Sequence, residues 1–262
     1  MPDTSTMNAE NFELNTALFE STFKIEQPIG AGKIVVGTTF VLARPYLGDP
    51  TKGRFVLVTA KHVLEDMKGD DAVWHLRSKD GSGQWQRSPV VLKIRTNGTP
   101  HWIAHPTADV AAMYVPMIPG AITFVLPTPL IALDDTFEQF EIHPGDELNC
   151  LGYPMGMEGN AAGFPVLRSG KIASYPLYPT KEHPTFLYDF EIFGGNSGGP
   201  VFMVESNRNF KGGTHIGKIQ FVAGLVSQQH LCLNERLALS VVVSAPLILE
   251  TVNLLPSPDL VP

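Results

Sequence analysis

Residues 194–200 read Gly194-Gly195-Asn196-Ser197-Gly198-Gly199-Pro200. Four glycines around one serine are a poor recipe for a regular strand. Glycine is used where the backbone must take positive φ or approach something closely. In such a loop a serine hydroxyl is exposed, and neighbouring backbone N–H groups can converge into an anion-binding nest. Acyl transfer needs that combination: a nucleophile, with donors aimed at the oxyanion formed when it attacks a carbonyl. The plainer reading is an ordinary Gly-rich turn, so the decision rests on partners elsewhere.

A serine is a weak nucleophile unless a histidine, held by a carboxylate, takes its proton. His62 follows the apolar run Val58-Thr59-Ala60, and Asp109 stands at the edge of Val110-Ala111-Ala112-Met113. Each alone also reads blandly, as a turn histidine and a strand-entry cap. The motif formally matches GxSxG, but an α/β-hydrolase would need its acid and histidine after the serine. Only 65 residues follow Ser197, with Glu205, His215 and His230 among them, and βα alternation is missing. The order His62…Asp109…Ser197, with separations of 47 and 88 residues, is the chymotrypsin-like one.

The patterning agrees. Strands are expected at residues 34–42, 54–59, 73–76, 90–94, 110–115, 147–151, 166–173, 185–190, 200–204, 218–226 and 237–243. Gly/Pro/Asn-rich turns between them point to an all-β barrel or sandwich. A helix capped by Asn11, with Phe12, Leu14, Leu18, Phe19 and Phe23 on one face, precedes them, and a second is expected at 246–254. The 262 residues carry 44% hydrophobic and 17% charged residues, which excludes disordered, collagen-like and coiled-coil chains. A net charge of −7 argues against nucleic-acid binding. Cys150 and Cys232 are too few for a disulfide framework and are expected to be reduced. No signal peptide or transmembrane stretch is read, so a cytoplasmic protein without a membrane partner is expected.

Thr59-Ala60-Lys61-His62, Asp109-Val110-Ala111 and Gly195-Asn196-Ser197-Gly198-Gly199-Pro200 together resemble the signature blocks of the trypsin-like serine peptidases. The stretch from Tyr188 to Ser197 is most similar to bacterial glutamyl-endopeptidase and HtrA-type members. The resemblance spans about residues 30–250 and implies a double six-stranded antiparallel β-barrel with the active site between barrels. It divides the chain into an N-terminal extension (1–29), a first barrel (about 30–120), a second (about 140–245) and a C-terminal helix. It also implies His62 as general base, Asp109 as its orienting acid and Ser197 as nucleophile. The Gly195 and Ser197 N–H groups would form the oxyanion hole, and Ser227 would hydrogen-bond the aspartate. Residues 226–229, including Val226, Ser227 and Gln228, would pair with extended substrate backbone. Protein or peptide substrates are expected, and no metal or cofactor.

Departures from the family pattern carry information. Asn196 stands where zymogen-type members have an aspartate that pairs with a freed N-terminus, so activity is expected without cleavage near Ile34. Val226 replaces the pocket histidine of glutamyl endopeptidases, which argues against acidic specificity. Glu191, six residues before Ser197, could attract Arg or Lys, although small or medium apolar side chains are the favoured expectation. The chain ends soon after the serine domain, and no PDZ domain is expected. His101 and His105 are spaced i, i+4, but flanking prolines favour a loop over a metal site. Asp134-Asp135 reads as a solvated turn. A binding module on the same fold, or a serine esterase, are the alternatives to a peptidase.

Overall fold

The structure is a computed structural model that describes residues 13–49, 52–116, 118, 120–122, 124–210, 212–232 and 235–260. Two β-sheet units stand side by side. The first contains β1 (Thr22–Gly30), β2 (Lys33–Pro45), β3 (Gly53–Thr59), β4 (Asp71–Lys79) and β5 (Trp85–Lys93). A small hairpin follows, β6 (Arg95–Thr96) with β7 (Thr99–Pro100), then β8 (Ile103–Ala104) and β9 (Ala111–Val115). The strand order is β5-β4-β1-β2-β3-β9-β8, and β10 (Leu126–Pro127) lies parallel to β2. The second unit is a closed barrel of six strands: β11 (Glu147–Gly152), β12 (Val166–Ile172), β13 (Thr185–Asp189), β16 (Glu235–Ser244), β15 (Gly213–Cys232) and β14 (Pro200–Phe210). The expected all-β architecture of two β-sheet units is therefore present, with the second closed into a six-stranded barrel. The first unit counts eight strands because the two-residue pieces β8 and β10 extend its sheet.

The N-terminal helix α1 (Leu14–Ser21) is capped by Glu13, whose carboxylate accepts from the Asn15 and Thr16 N–H groups. Asn11 and Phe12 lie outside the described residues. Phe23, expected on the helix, belongs to β1. Strand β1 was missed because Lys24, Glu26 and Gln27 interrupt its apolar residues. These polar side chains are nonetheless covered or paired: Lys24 meets Glu158 at 2.8 Å, and the Gln27 side-chain amide donates to Asp71 O. Two short helices hold other pieces: α2 (Lys61–Asp66) after β3, and α3 (Asp134–Gln139) in the connection between units. Asp134 is thus no solvated turn; it opens α3 and accepts from the Thr180 N–H and hydroxyl. The C-terminal helix α4 spans Pro246–Leu254, as expected.

The buried core gathers Phe23, Phe40, Val58 and Trp74 from the first unit and Leu151, Phe186, Tyr188 and Phe202 from the second. Cys150 is a buried free thiol, pushed up to about 12 by desolvation. The Cys232 side chain is outside those described. Among the described residues, no helix is long and apolar enough to cross a membrane.

Candidate active site

Strands β3 and β9 pair antiparallel, with Thr59 opposite Ala111. The end of one and the start of the other are therefore neighbours, and residues 47 positions apart in sequence meet. His62 lies in the first turn of α2, directly after β3, and Asp109 directly before β9. The His62 N–H donates to Asp109 Oδ1 at 2.9 Å, and His62 Nδ1 meets Oδ2 at 2.7 Å. From the other unit the Ser227 hydroxyl donates to the same Oδ2 at 2.5 Å. Ser227 can reach because a bulge between Val226 and Gln228 interrupts the β15–β16 ladder there; bulges commonly re-aim side chains beside active sites.

Burial raises the Asp109 pKa, but the His62 hydrogen bond and charge, with Ser227 and the His62 amide, hold it below the ordinary carboxylate value. Burial likewise lowers His62. The Asp109 hydrogen bond and charge, aided by Asp66 and Glu65, outweigh that and leave it above the ordinary imidazole value.

The approach to Ser197 is a tight turn in which the Asn196 N–H donates to Phe193 O at 3.1 Å. Gly195 supplies the positive φ, +99°, that the third residue of such a turn requires. A Cβ there would lie 2.2 Å from Tyr153 O, so glycine is also needed for space. Gly198 is equally confined, between Thr38 O and Thr59 Oγ1. Gly194 O accepts from the Met155 N–H at 2.6 Å, which turns the Gly195 N–H the opposite way. Among the described residues, neither the Gly195 nor the Ser197 N–H has a protein acceptor. Two parallel-acting donors are left free at the serine.

The Ser197 hydroxyl donates to Ser227 O at 2.9 Å rather than to His62. Ser227 thus joins two of the predicted catalytic residues, binding Asp109 through its hydroxyl and Ser197 through its carbonyl. Val226 is buried, and its backbone is committed to the serine loop: Gly198 N–H to Val226 O, and Val226 N–H to Gly199 O. Gln228 is exposed. Glu191 is partly exposed, and Arg168 touches its backbone carbonyl at 2.7 Å. His101 bonds Thr96, whereas His105 is buried against Glu250, so the pair does not converge. Among the described residues, no group of three or more His, Cys, Asp or Glu could hold a metal ion.

Sequence reasoning missed three supporting residues. The Thr38 hydroxyl donates to Gly195 O at 2.6 Å, and its amide donates to Ser197 O. Tyr153 and Met155 flank the turn. A further one, His105, accepts the Thr107 and Ala108 N–H groups through Nδ1 and so shapes the loop presenting Asp109. No local signal marks Thr38, Tyr153 or Met155, since each acts through a partner distant in sequence or through its backbone.

Residues 37–208, about two thirds of the chain, match the family of the trypsin-like peptidase domain. No curated protein sequence matches. Among solved structures, the chain is similar to the HtrA-type protease AlgW with tripeptide, at 13% identity and a TM-score of 0.52 over 91% of this chain. It spans 60% of that longer protein. Deg5 matches at 16% identity and 0.51, covering 91% of this chain and 92% of Deg5. The protease Anisep from Arthrobacter nicotinovorans matches at 14% and 0.50, covering 89% and 94%. Those likenesses carry the fold, and the family match across most of the sequence carries the class: the chain belongs to the trypsin-like peptidase family, the serine proteases among the hydrolases.

Proposed function

We propose that this protein is a serine endopeptidase that cleaves peptide bonds through an acyl-enzyme intermediate, with His62, Asp109 and Ser197 as its triad. The observation that carries this reading is the Asp109 carboxylate, engaged by the His62 amide, His62 Nδ1 and the Ser227 hydroxyl. That grip fixes the tautomer with the proton on Nδ1 and leaves Nε2 as the basic nitrogen.

Rotation of the Ser197 side chain away from Ser227 O hands its proton to His62 Nε2. Catalytic hydrogen bonds are often unmade before substrate arrives. Ser197 Oγ attacks the peptide carbonyl, and the oxyanion is taken by the Gly195 and Ser197 N–H groups. Collapse breaks the C–N bond as His62 protonates the leaving amine. Water, deprotonated by His62, then attacks the acyl ester and regenerates the serine.

Labelling with a fluorophosphonate tests this. The intact chain should gain one phosphonyl group on Ser197, while Ser197→Ala and His62→Ala should gain none. Folded protein that stays unlabelled would exclude the peptidase reading and leave a binding role for the cleft.

A further inference from the structure

The turn that presents Gly195 is held from outside its own loop. Its Gly194 carbonyl is fastened by Met155, and its Gly195 carbonyl by Thr38. Gly195 packs on the Tyr153 carbonyl. Two of these three contacts come from the segment 153–164, which lies in the connection between β11 and β12. Met155 itself stands at φ +55°, a left-handed conformation that a side chain adopts only when its surroundings impose it. Something must therefore keep this segment rigid.

The support lies in the first sheet. Arg77, on β4, is 1% exposed. Its Nη1 donates to the Tyr153 hydroxyl at 3.1 Å and to Gly163 O at 3.0 Å. Its Nη2 donates to Phe19 O and Thr22 O, both at 2.8 Å, and reaches Glu20 O at 3.4 Å. The guanidinium lies over the Phe23 and Phe164 rings, at 4.5 and 4.3 Å from their centroids. One side chain thus joins the end of α1, the start of β1 and both ends of the segment 153–164. Tyr153 connects this point to the turn. Its hydroxyl is at Arg77, its N–H donates to Thr38 Oγ1 at 3.2 Å, and its carbonyl touches Gly195. Asn196, buried beside Ser197, supplies no charge for an ionic anchor and leaves its side-chain N–H donors unpartnered.

We infer that Arg77 is a positioning residue for the oxyanion turn, acting through Tyr153 and the segment 153–164, and that helix α1 is thereby part of the support of the active site. If this support loosens, the 194–195 peptide is free to turn over, and the Gly195 N–H leaves the site. The inference rests on reading the Gly195 and Ser197 N–H groups as the oxyanion donors.

The test compares Arg77→Lys and Tyr153→Phe with the intact wild-type chain. Lysine keeps the charge but cannot serve a planar set of five acceptors, and phenylalanine removes only the hydroxyl link. Well below each variant's unfolding midpoint, kcat on a peptide ester should fall about 10- to 100-fold for Arg77→Lys, with KM within about threefold, as expected when reacting groups are displaced by about an ångström. Tyr153→Phe should lose less, roughly three- to tenfold on the same reasoning. Without substrate, deuterium uptake at 191–199 should rise in both. A purely structural role would lower the midpoint and leave kcat and that uptake unchanged, which would overturn the inference. Should Arg77→Lys fail to fold, the same two readings on Tyr153→Phe decide. If the wild type takes no fluorophosphonate, the peptidase reading falls, while the uptake at 191–199 still reports on the support.

Discussion

At the scale of residues, His62 and Asp109 determine how the site should respond to pH. In the proposed mechanism His62 is the general base and must be neutral; it titrates above its ordinary 6.5 because Asp109, Asp66 and Glu65 together outweigh its burial. The rate constant kcat/KM should therefore rise with pH along a limb whose midpoint lies above 6.5. Asp109→Asn should lower the plateau about 10⁴-fold, through the wrong tautomer, and move the limb down. A stopped-rate pH profile on both proteins checks this. Stability carries the opposite sign. A raised folded pKa makes the protonated imidazole a stabilising partner below 6.5, a contribution lost as pH rises through the folded value. The Asp109 contribution is present above 3.8 and is lost only as pH falls through its depressed folded value. Denaturant midpoints should thus show wild type ahead of His62→Gln at pH 6, by a margin that shrinks at pH 9.

At the scale of elements, α2 has only six residues, and β6 helps to hold its C-terminal end. Arg95, on β6, donates to the carbonyls of Leu64 and Met67 at the end of α2 and lies over the Trp102 ring. A cation there satisfies orphan carbonyls and complements the helix dipole. Arg95→Met should cost about 1.5–3 kcal/mol, the range for hydrogen bonds to a charged group. Thermal unfolding measures this, and a shift below about 1 kcal/mol would deny Arg95 that role. Elements were readable where one physical signal dominated. Helix α4 was marked by Pro246 at its start and an apolar stretch of the right length. Strand β1 was hidden because Lys24, Glu26 and Gln27 interrupt its apolar residues, and only its tertiary partners cover or pair them. The bulge at Ser227 was hidden for a similar reason: one unpaired residue in a ladder leaves no compositional trace.

At the scale of the whole molecule, the two units are joined at the serine loop. Thr38, on β2, donates its amide to Ser197 O at 2.9 Å and its hydroxyl to Gly195 O, while that hydroxyl accepts from Tyr153. The C-terminal tail closes the other side, with Arg44 holding the Leu255 and Pro256 carbonyls. Thr38→Val preserves the shape but strands a buried carbonyl and a buried N–H. Stability should fall by about 1–3 kcal/mol, and fluorophosphonate labelling should slow measurably under conditions where the variant is fully folded. Unchanged labelling would mean that the interface does not bear on the serine.

What the sequence by itself determined is whatever a residue expresses locally. Glycines at 195 and 198 announce positive φ, β-branched runs announce strands, and the blocks around His62, Asp109 and Ser197 carry the resemblance that implies the fold. The tertiary structure alone decided which groups touch. Arg77 against Tyr153, Thr38 against Gly195 and Ser227 between Asp109 and Ser197 are separated by 76, 157, 118 and 30 positions. Backbone preference acts over a few residues, whereas hydrogen-bond partners at such distances are chosen only when strand pairing and packing bring them within about 3 Å of one another.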